Sequence, residues 1–250
     1  MSFSVVGWSE LQDTAGVLTE VLALPDQHVT TDGDDVSVPD FAAELGMVAC
    51  MGVTITQAQF SSPTLRKSLL VDVCPINIAD VPTSPPGFMD FHDARVKLTA
   101  AEGLRALVAE GAVAAELETC FAWLFGPDTP APAGEPFWVR LDGATALVPD
   151  LWTLVPLALS QQLNAGRYAI VGMRAQSATG RAARLVIPGL QFRPGCLVTI
   201  ADGDIEAHAF DTKVLGNWGE FNHTYPPQAE FQAAAADAAE VVWLALVKIA

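Results

Sequence analysis

Two stretches of this 250-residue chain repeat one another, and the repeat limits what the chain can fold into more than any other feature. Gly46-Met47-Val48-Ala49-Cys50-Met51-Gly52 lies over Gly166-Arg167-Tyr168-Ala169-Ile170-Val171-Gly172 at an offset of 120, with Gly, Ala and Gly in common. Leu65 and Leu185 share that offset. So do Ala122-Trp123-Leu124 and Val242-Trp243-Leu244, each preceded by an Ala- and acid-rich stretch. The starts of the two halves match at an offset of 130, where Trp8 falls on Trp138, Leu11 on Leu141 and Val17-Leu18 on Leu147-Val148. The first half must therefore hold ten extra residues. The polar run from Asp26 to Pro39 is where they are expected, as a surface loop or hairpin tip.

Between the repeats lies Gly126-Pro127-Asp128-Thr129-Pro130-Ala131-Pro132-Ala133-Gly134-Glu135-Pro136. Its four prolines exclude regular helix and central strand and make a semi-rigid spacer. The division expected is one β-sandwich over 1–125, a Pro-rich linker over 126–136 and a second β-sandwich over 137–250. Each half is long enough to bury its own core.

Short apolar runs bounded by Gly, Pro, Asn or Asp predict strands at 4–8, 47–59, 68–74, 137–141, 153–160, 168–176, 183–187, 196–200 and 240–249. Val53-Thr54-Ile55-Thr56 alternates in the manner of a half-buried strand. Two stretches predict helix by propensity: 100–118, rich in Ala, Leu and Glu, and 229–239, rich in Ala. The expected unit is mainly β, a jelly roll with a short helix before its last strand. An immunoglobulin-like sandwich is the competing topology, and spacing does not separate the two.

Composition narrows the function. Hydrophobic residues make up 51% and charged residues 17%, the balance of a packed chain, with surface to spare for subunit contacts. The net charge is −16 and the pI about 4.4, and no basic run gathers the 13 Lys and Arg. Direct binding of nucleic acid is not expected. Cys50, Cys74, Cys120 and Cys196 form no CxxC pair and read as reduced, buried thiols. The opening residues MSFSVVGWSE lack a basic, cleavable leader, and no apolar run approaches the roughly 18 residues of a membrane span. Synthesis and assembly in a cytoplasm follow as the expectation.

Catalytic signals are sparse. There is no G-x-S-x-G, P-loop or G-x-G-x-x-G motif, and no HxH pair of the kind that holds a metal in bicupins. No cofactor is expected. Asp204, Glu206 and His208 alternate and would share one face of a strand, as metal ligands do, but so does the polar side of any amphipathic strand. Asp32-Gly33-Asp34-Asp35 resembles half of a calcium loop without its closing Glu and reads as an acidic turn, as does Asp202-Gly203-Asp204. Trp8, Trp138, Trp123 and Trp243 sit at matched repeat positions and read as core. Trp218, Phe221 and Tyr225 lie in one aromatic loop that is the candidate ligand or subunit contact.

Two tandem β-sandwiches in one acidic, cysteine-poor chain resemble the double jelly-roll major capsid proteins of tailless icosahedral viruses. The resemblance rests on the repeat, the linker and the predicted helix before each last strand. It implies a structural coat protein without catalysis, assembling with copies of itself into trimeric capsomers and shells, in contact with other virion proteins and located in the virion after assembly in a host cytoplasm. The alternative is a tandem β-sandwich module that binds carbohydrate or a cell surface, for which Trp218, Phe221 and Tyr225 would be the exposed platform.

Overall fold

The computed structural model describes residues 2–12, 15–52, 55–67, 87–110, 116–199 and 216–250. They form two compact units: Val5–Phe125, and Met1–Ser4 together with Gly126–Ala250. The chain is mainly β.

The first unit is built from β1 (Phe3–Gln12), β2 (Thr19–Glu20), β3 (Thr31–Asp32), β4 (Asp35–Ser37), β5 (Glu44–Met51), β6 (Ile55–Ser61), β7 (Gly87–Asp90), β8 (Val96–Lys97), β9 (Gly103–Glu110) and β10 (Glu116–Phe125). A five-residue helix, α1 (Pro63–Lys67), and a single 3-10 turn at His92–Ala94 interrupt them. One sheet runs β1-β10-β5-β7, with β8 beside β5. In the other, β2, β4 and β6 all pair with β9, and β3 pairs with β4. Between the sheets lie Val6, Trp8, Val48, Cys50, Phe60, Leu104, Ala106, Val108, Cys120, Ala122 and Leu124.

The second unit contains β11 (Phe137–Asp142), β12 (Thr153–Val155), β13 (Ala158–Leu159), β14 (Arg167–Gln176), β15 (Gly180–Val186), β16 (Gly195–Thr199), β17 (Gly219–Asn222), β18 (Gln228–Ala233) and β19 (Val241–Lys248). Its strand order is β12-β18-β15-β16 on one side and β14-β19-β11-β13 on the other, with β17 beside β14. Setting the short β13 aside and numbering the remaining strands 1 to 8, the two sides read 1-8-3-6 and 2-7-4-5, and a two-residue parallel pairing of β14 with β16 joins them into one continuous sheet. That is two interlocked Greek keys, the jelly roll. An immunoglobulin-like sandwich leaves its first strand away from its last, whereas here β11 and β19 pair along six residues. In the first unit β1, β10, β5 and β7 stand in the same 1-8-3-6 order, and β2, β9 and β6 in the order 2-7-4.

Among the described residues, both predicted helices give way to strand over most of their length. Residues 100–118 contain β9 and the start of β10, and residues 229–239 contain most of β18. Leu104, Ala106 and Val108 recur with period two on the core face, so burying them needs an extended backbone. The helix propensity of Ala, Leu and Glu, under about 1 kcal/mol per residue, is outweighed by that burial and by pairing with β6. β18 is likewise held between β15 and β12. The segment before the last strand of each unit is thus strand 7 of the roll.

Two predicted strands divide. Residues 47–59 become β5 and β6, and residues 153–160 become β12 and β13, with Pro156 between them. The strand expected at 68–74 lies outside the described residues. The run from Asp26 to Pro39 forms the β3–β4 hairpin, although Val29, Val36 and Val38 from it are buried in the core rather than left on the surface.

The repeat is real in topology, but its residue equivalences shift. Trp123 pairs with Met47, while Trp243 pairs with Arg174, seven residues beyond the position that an offset of 120 would give. Leu65 lies in α1 and Leu185 in β15, so that match is coincidental.

Candidate functional site

The aromatic loop of the second unit is mostly core. Trp218 is fully buried, its ring edge-on to Phe3 at 4.9 Å between centroids. Phe221, in β17, stacks on Tyr168 of β14 at 5.9 Å, and Tyr168 meets Phe137 edge-on at 6.0 Å. Tyr225 alone reaches solvent, 72% exposed in the turn after β17. Local hydrogen bonds fix this course. The Asn217 side-chain carbonyl accepts from Gly219 N–H at 2.9 Å, and that of Asn222 accepts from Thr224 N–H and Oγ1 at 3.1 and 2.8 Å. Gly219, at φ 149°, passes so close to Ile187 and Leu190 that a Cβ would sit 2.8 and 2.7 Å from their methyl carbons. Trp218 and Phe221 therefore offer no face to a sugar, and the three-ring platform required by the binding-module reading is not formed.

Asp204, Glu206 and His208, and the turn Asp202-Gly203-Asp204, lie outside the described residues. Among the described residues no group of three or more His, Cys, Asp or Glu side chains converges as metal ligands would. Asp32-Gly33-Asp34-Asp35 is the tip of the β3–β4 hairpin, with Gly33 at φ 61°. The carboxylates of Asp34 and Asp35 face Arg105 of β9. The guanidinium donates from Nε and NH2 to the two oxygens of Asp35 at 2.8 Å each and from NH1 to Glu20 at 2.7 Å, with Asp34 at 3.1 Å. The hydrogen bonds to Asp35, then to Glu20, hold the Arg105 pKa above its ordinary value. The positive charge facing this acidic turn is that of Arg105.

The four matched tryptophans divide. Trp8 is core, edge-on to Phe60 at 5.7 Å, its Nε1 donating to the Asp34 carbonyl at 2.9 Å. Trp123 is buried, but on the opposite face of β10 from Cys120, Ala122 and Leu124. Trp138 is 39% exposed and Trp243 half-buried. In β11 it is Val139 and Leu141 that turn inward, so Trp138 and Arg140 point out. Arg140, Trp243 and Arg174 form one cross-strand row over β11, β19 and β14. The Arg174 guanidinium lies 4.9 Å from the Trp138 ring centre, and that of Arg140 lies 5.9 Å from Trp243. A one-residue change of facing is enough to move a tryptophan from core to surface. The alternation in Trp138-Val139-Arg140-Leu141 was the signal available for it.

Exposed apolar side chains occur in both units near the connection from the first strand to the second. Leu11, Val17 and Leu22 lie around β1 and β2; Val148, Leu151 and Leu154 lie around β12, after β11. Among the described residues no helix is long and apolar enough to cross a membrane.

The strand orders define a tandem jelly-roll chain, the architecture that the sequence resembles in double jelly-roll capsid proteins. No family model matches the chain, and no curated protein matches it. Among solved structures, the major capsid protein P2 from bacteriophage PM2 aligns over 99% of this chain and 98% of its own, at 10% identity and a TM-score of 0.26. A score that low carries no argument, so the functional reading rests on this chain's own strands and surfaces.

Proposed function

We propose that the chain is a structural coat protein that assembles with copies of itself into capsomers, with no catalytic role. The observation that carries this reading is the pair of jelly rolls in one chain, each exposing apolar residues near the connection from strand 1 to strand 2. A shell subunit needs stiff blocks whose flanks bind other copies of the same block. A chain with two such blocks doubles the number of similar contacts each copy makes. The arrangement expected is a trimer presenting six sandwiches, joined in the virion to other proteins after assembly in a host cytoplasm. With a net charge of −16, contact with a genome would run through those partners or through cations.

Size-exclusion chromatography with light scattering, followed by electron microscopy, tests the reading. The expected particle is three times the 26.4 kDa chain mass or larger, with ring-shaped capsomers or shells in the images. Val17→Glu combined with Leu151→Glu is expected to reduce the assembly to single chains without unfolding them. A wild-type chain that stays at 26.4 kDa at every concentration and ionic strength overturns the proposal.

A further inference from the structure

Cys50 and Cys120 are direct partners across the antiparallel pair of β5 and β10. Residues opposite one another in such a pair have Cα atoms about 4.5–5.5 Å apart, inside the roughly 4.4–6.8 Å that a disulfide spans. The side chains agree with the backbone. Both turn into the space between the sheets, both are buried, and their sulfurs lie 3.1 Å apart. Closing a bond of about 2.05 Å needs a movement of about 1 Å, within reach of small χ1 adjustments. Cys196, the other described cysteine, is buried in the second unit.

We propose that Cys50 and Cys120 form a disulfide when the first jelly roll folds in an oxidising medium, and that the bond is sealed once the roll has folded, whereas a chain folded in a reducing cytoplasm keeps the pair as thiols. The oxidant is a small-molecule disulfide such as oxidised glutathione. A thiolate of one cysteine attacks it, forming a mixed disulfide and releasing one thiol. The second cysteine then attacks the protein sulfur of that mixed disulfide and releases the other thiol. Two protein thiols and one oxidant disulfide thus become one protein disulfide and two small thiols, with electrons and protons balanced.

Timing follows from where the pair lies. In the folded unit no oxidant molecule can approach sulfurs buried between two sheets. Burial, the neighbouring Cys120 and the charge of Glu118 also hold the Cys50 thiol well above its ordinary pKa, so the attacking thiolate is scarce. Before β10 docks along β5 neither obstacle exists. The two cysteines are 70 residues apart, so closing that loop carries an entropic cost until the last strand of the roll arrives and brings them side by side. The same burial then shields it from reductants. The oxidation state would record the conditions under which the chain folded, whatever the two units go on to assemble into.

The test is to unfold the full-length reduced chain and refold it in glutathione redox buffer, with a parallel sample kept in reductant. Alkylation in denaturant and peptide mapping then locate the disulfide. The expected result is a Cys50–Cys120 cross-linked peptide, loss of two alkylatable thiols, and a thermal midpoint of the first unit roughly 10 °C above that of the reduced sample. Reduced protein that is already folded, placed in the same buffer, is expected to keep both thiols over the time in which the refolding sample loses them. The variant carrying Cys74→Ser and Cys196→Ser should give the same cross-link and the same shift. Cys50 and Cys120 still free after oxidative refolding, or joined instead to Cys74 or Cys196, would overturn the proposal.

Discussion

Arg184 and Glu230 face one another across β15 and β18 inside the second jelly roll, with Arg184 Nε 2.7 Å from a Glu230 carboxylate oxygen. The indole of Trp152 covers the guanidinium at 4.1 Å. Both charged residues are buried. Removing one partner leaves a desolvated charge behind. Arg184→Met is expected to cost about 3–5 kcal/mol in urea unfolding. Arg184→Met with Glu230→Leu should recover most of that loss. If the single and double variants are equally destabilised, the ion pair is not the cause.

Trp218 separates packing from ligand binding. Its ring is enclosed against Phe3, so Trp218→Ala is expected to cost about 3–5 kcal/mol by leaving a cavity. Tyr225→Ala, at a side chain 72% exposed, should stay within about 0.5 kcal/mol of wild type. Thermal melts of both variants suffice. A stable Trp218→Ala protein would reopen the reading of this loop as a binding platform.

The aromatic loop also shows what sequence could and could not reveal. Strand existence was legible at β1, β11, β14 and β19, where apolar runs meet Gly or Pro. Facing was not. Trp8 and Trp138 stand at matching positions in the sequence, yet one points in and the other out, because a strand reverses its faces with a shift of one residue. The predicted helices failed for a related reason: Leu104, Leu107 and Val108 satisfy a helical spacing, while Leu104, Ala106 and Val108 satisfy a strand, and only the partner sheet decides. The contacts of Arg105 with Asp35 and of Cys50 with Cys120 join residues 70 apart, a pairing that no local pattern encodes.

Two carboxylates beside the last strand predict opposite responses to acid. Glu240 is buried, which raises its pKa above the ordinary 4.5. Backbone N–H groups, including that of Thr145, pull it down and the nearby Asp237 charge adds to the rise, with a net upward shift. A carboxyl whose folded pKa is raised destabilises the fold while charged, and the penalty fades as pH falls through the folded and then the unfolded value. Glu240→Gln should therefore raise the thermal midpoint at pH 8 and have little effect near pH 4.

Asp237 behaves in the reverse sense. Partial burial pushes its carboxyl up, but the Ser177 hydroxyl and the backbone N–H groups of Ala238, Ala178 and Ala239 together hold it below 3.8. Its contribution is present above the unfolded pKa and is lost as pH falls through the folded value. Asp237→Asn should destabilise at pH 7 and cost progressively less below about pH 4. A cost that stays constant from pH 7 to pH 3 would rule this out.

Gly195 opens β16 opposite Arg184, so close that a Cβ there would stand 2.2 Å from the Ala183 carbonyl oxygen and 2.7 Å from the Arg184 Cα. Backbone cannot yield as a side-chain tip can. Gly195→Ala is expected to cost 2 kcal/mol or more on the order-of-magnitude scale of core overpacking. An unchanged urea midpoint would show that the β15–β16 pair can separate to admit it.

In the second roll, the start of β11 lies beside the end of β19, since Phe137 pairs with Leu246. A block whose two loose ends emerge together can be copied in the gene and strung head to tail by a short connector, with no need to rethread either copy. Lineages that needed a bigger building tile could obtain one by a single tandem duplication, and the two copies could then drift apart in sequence while keeping the same weave.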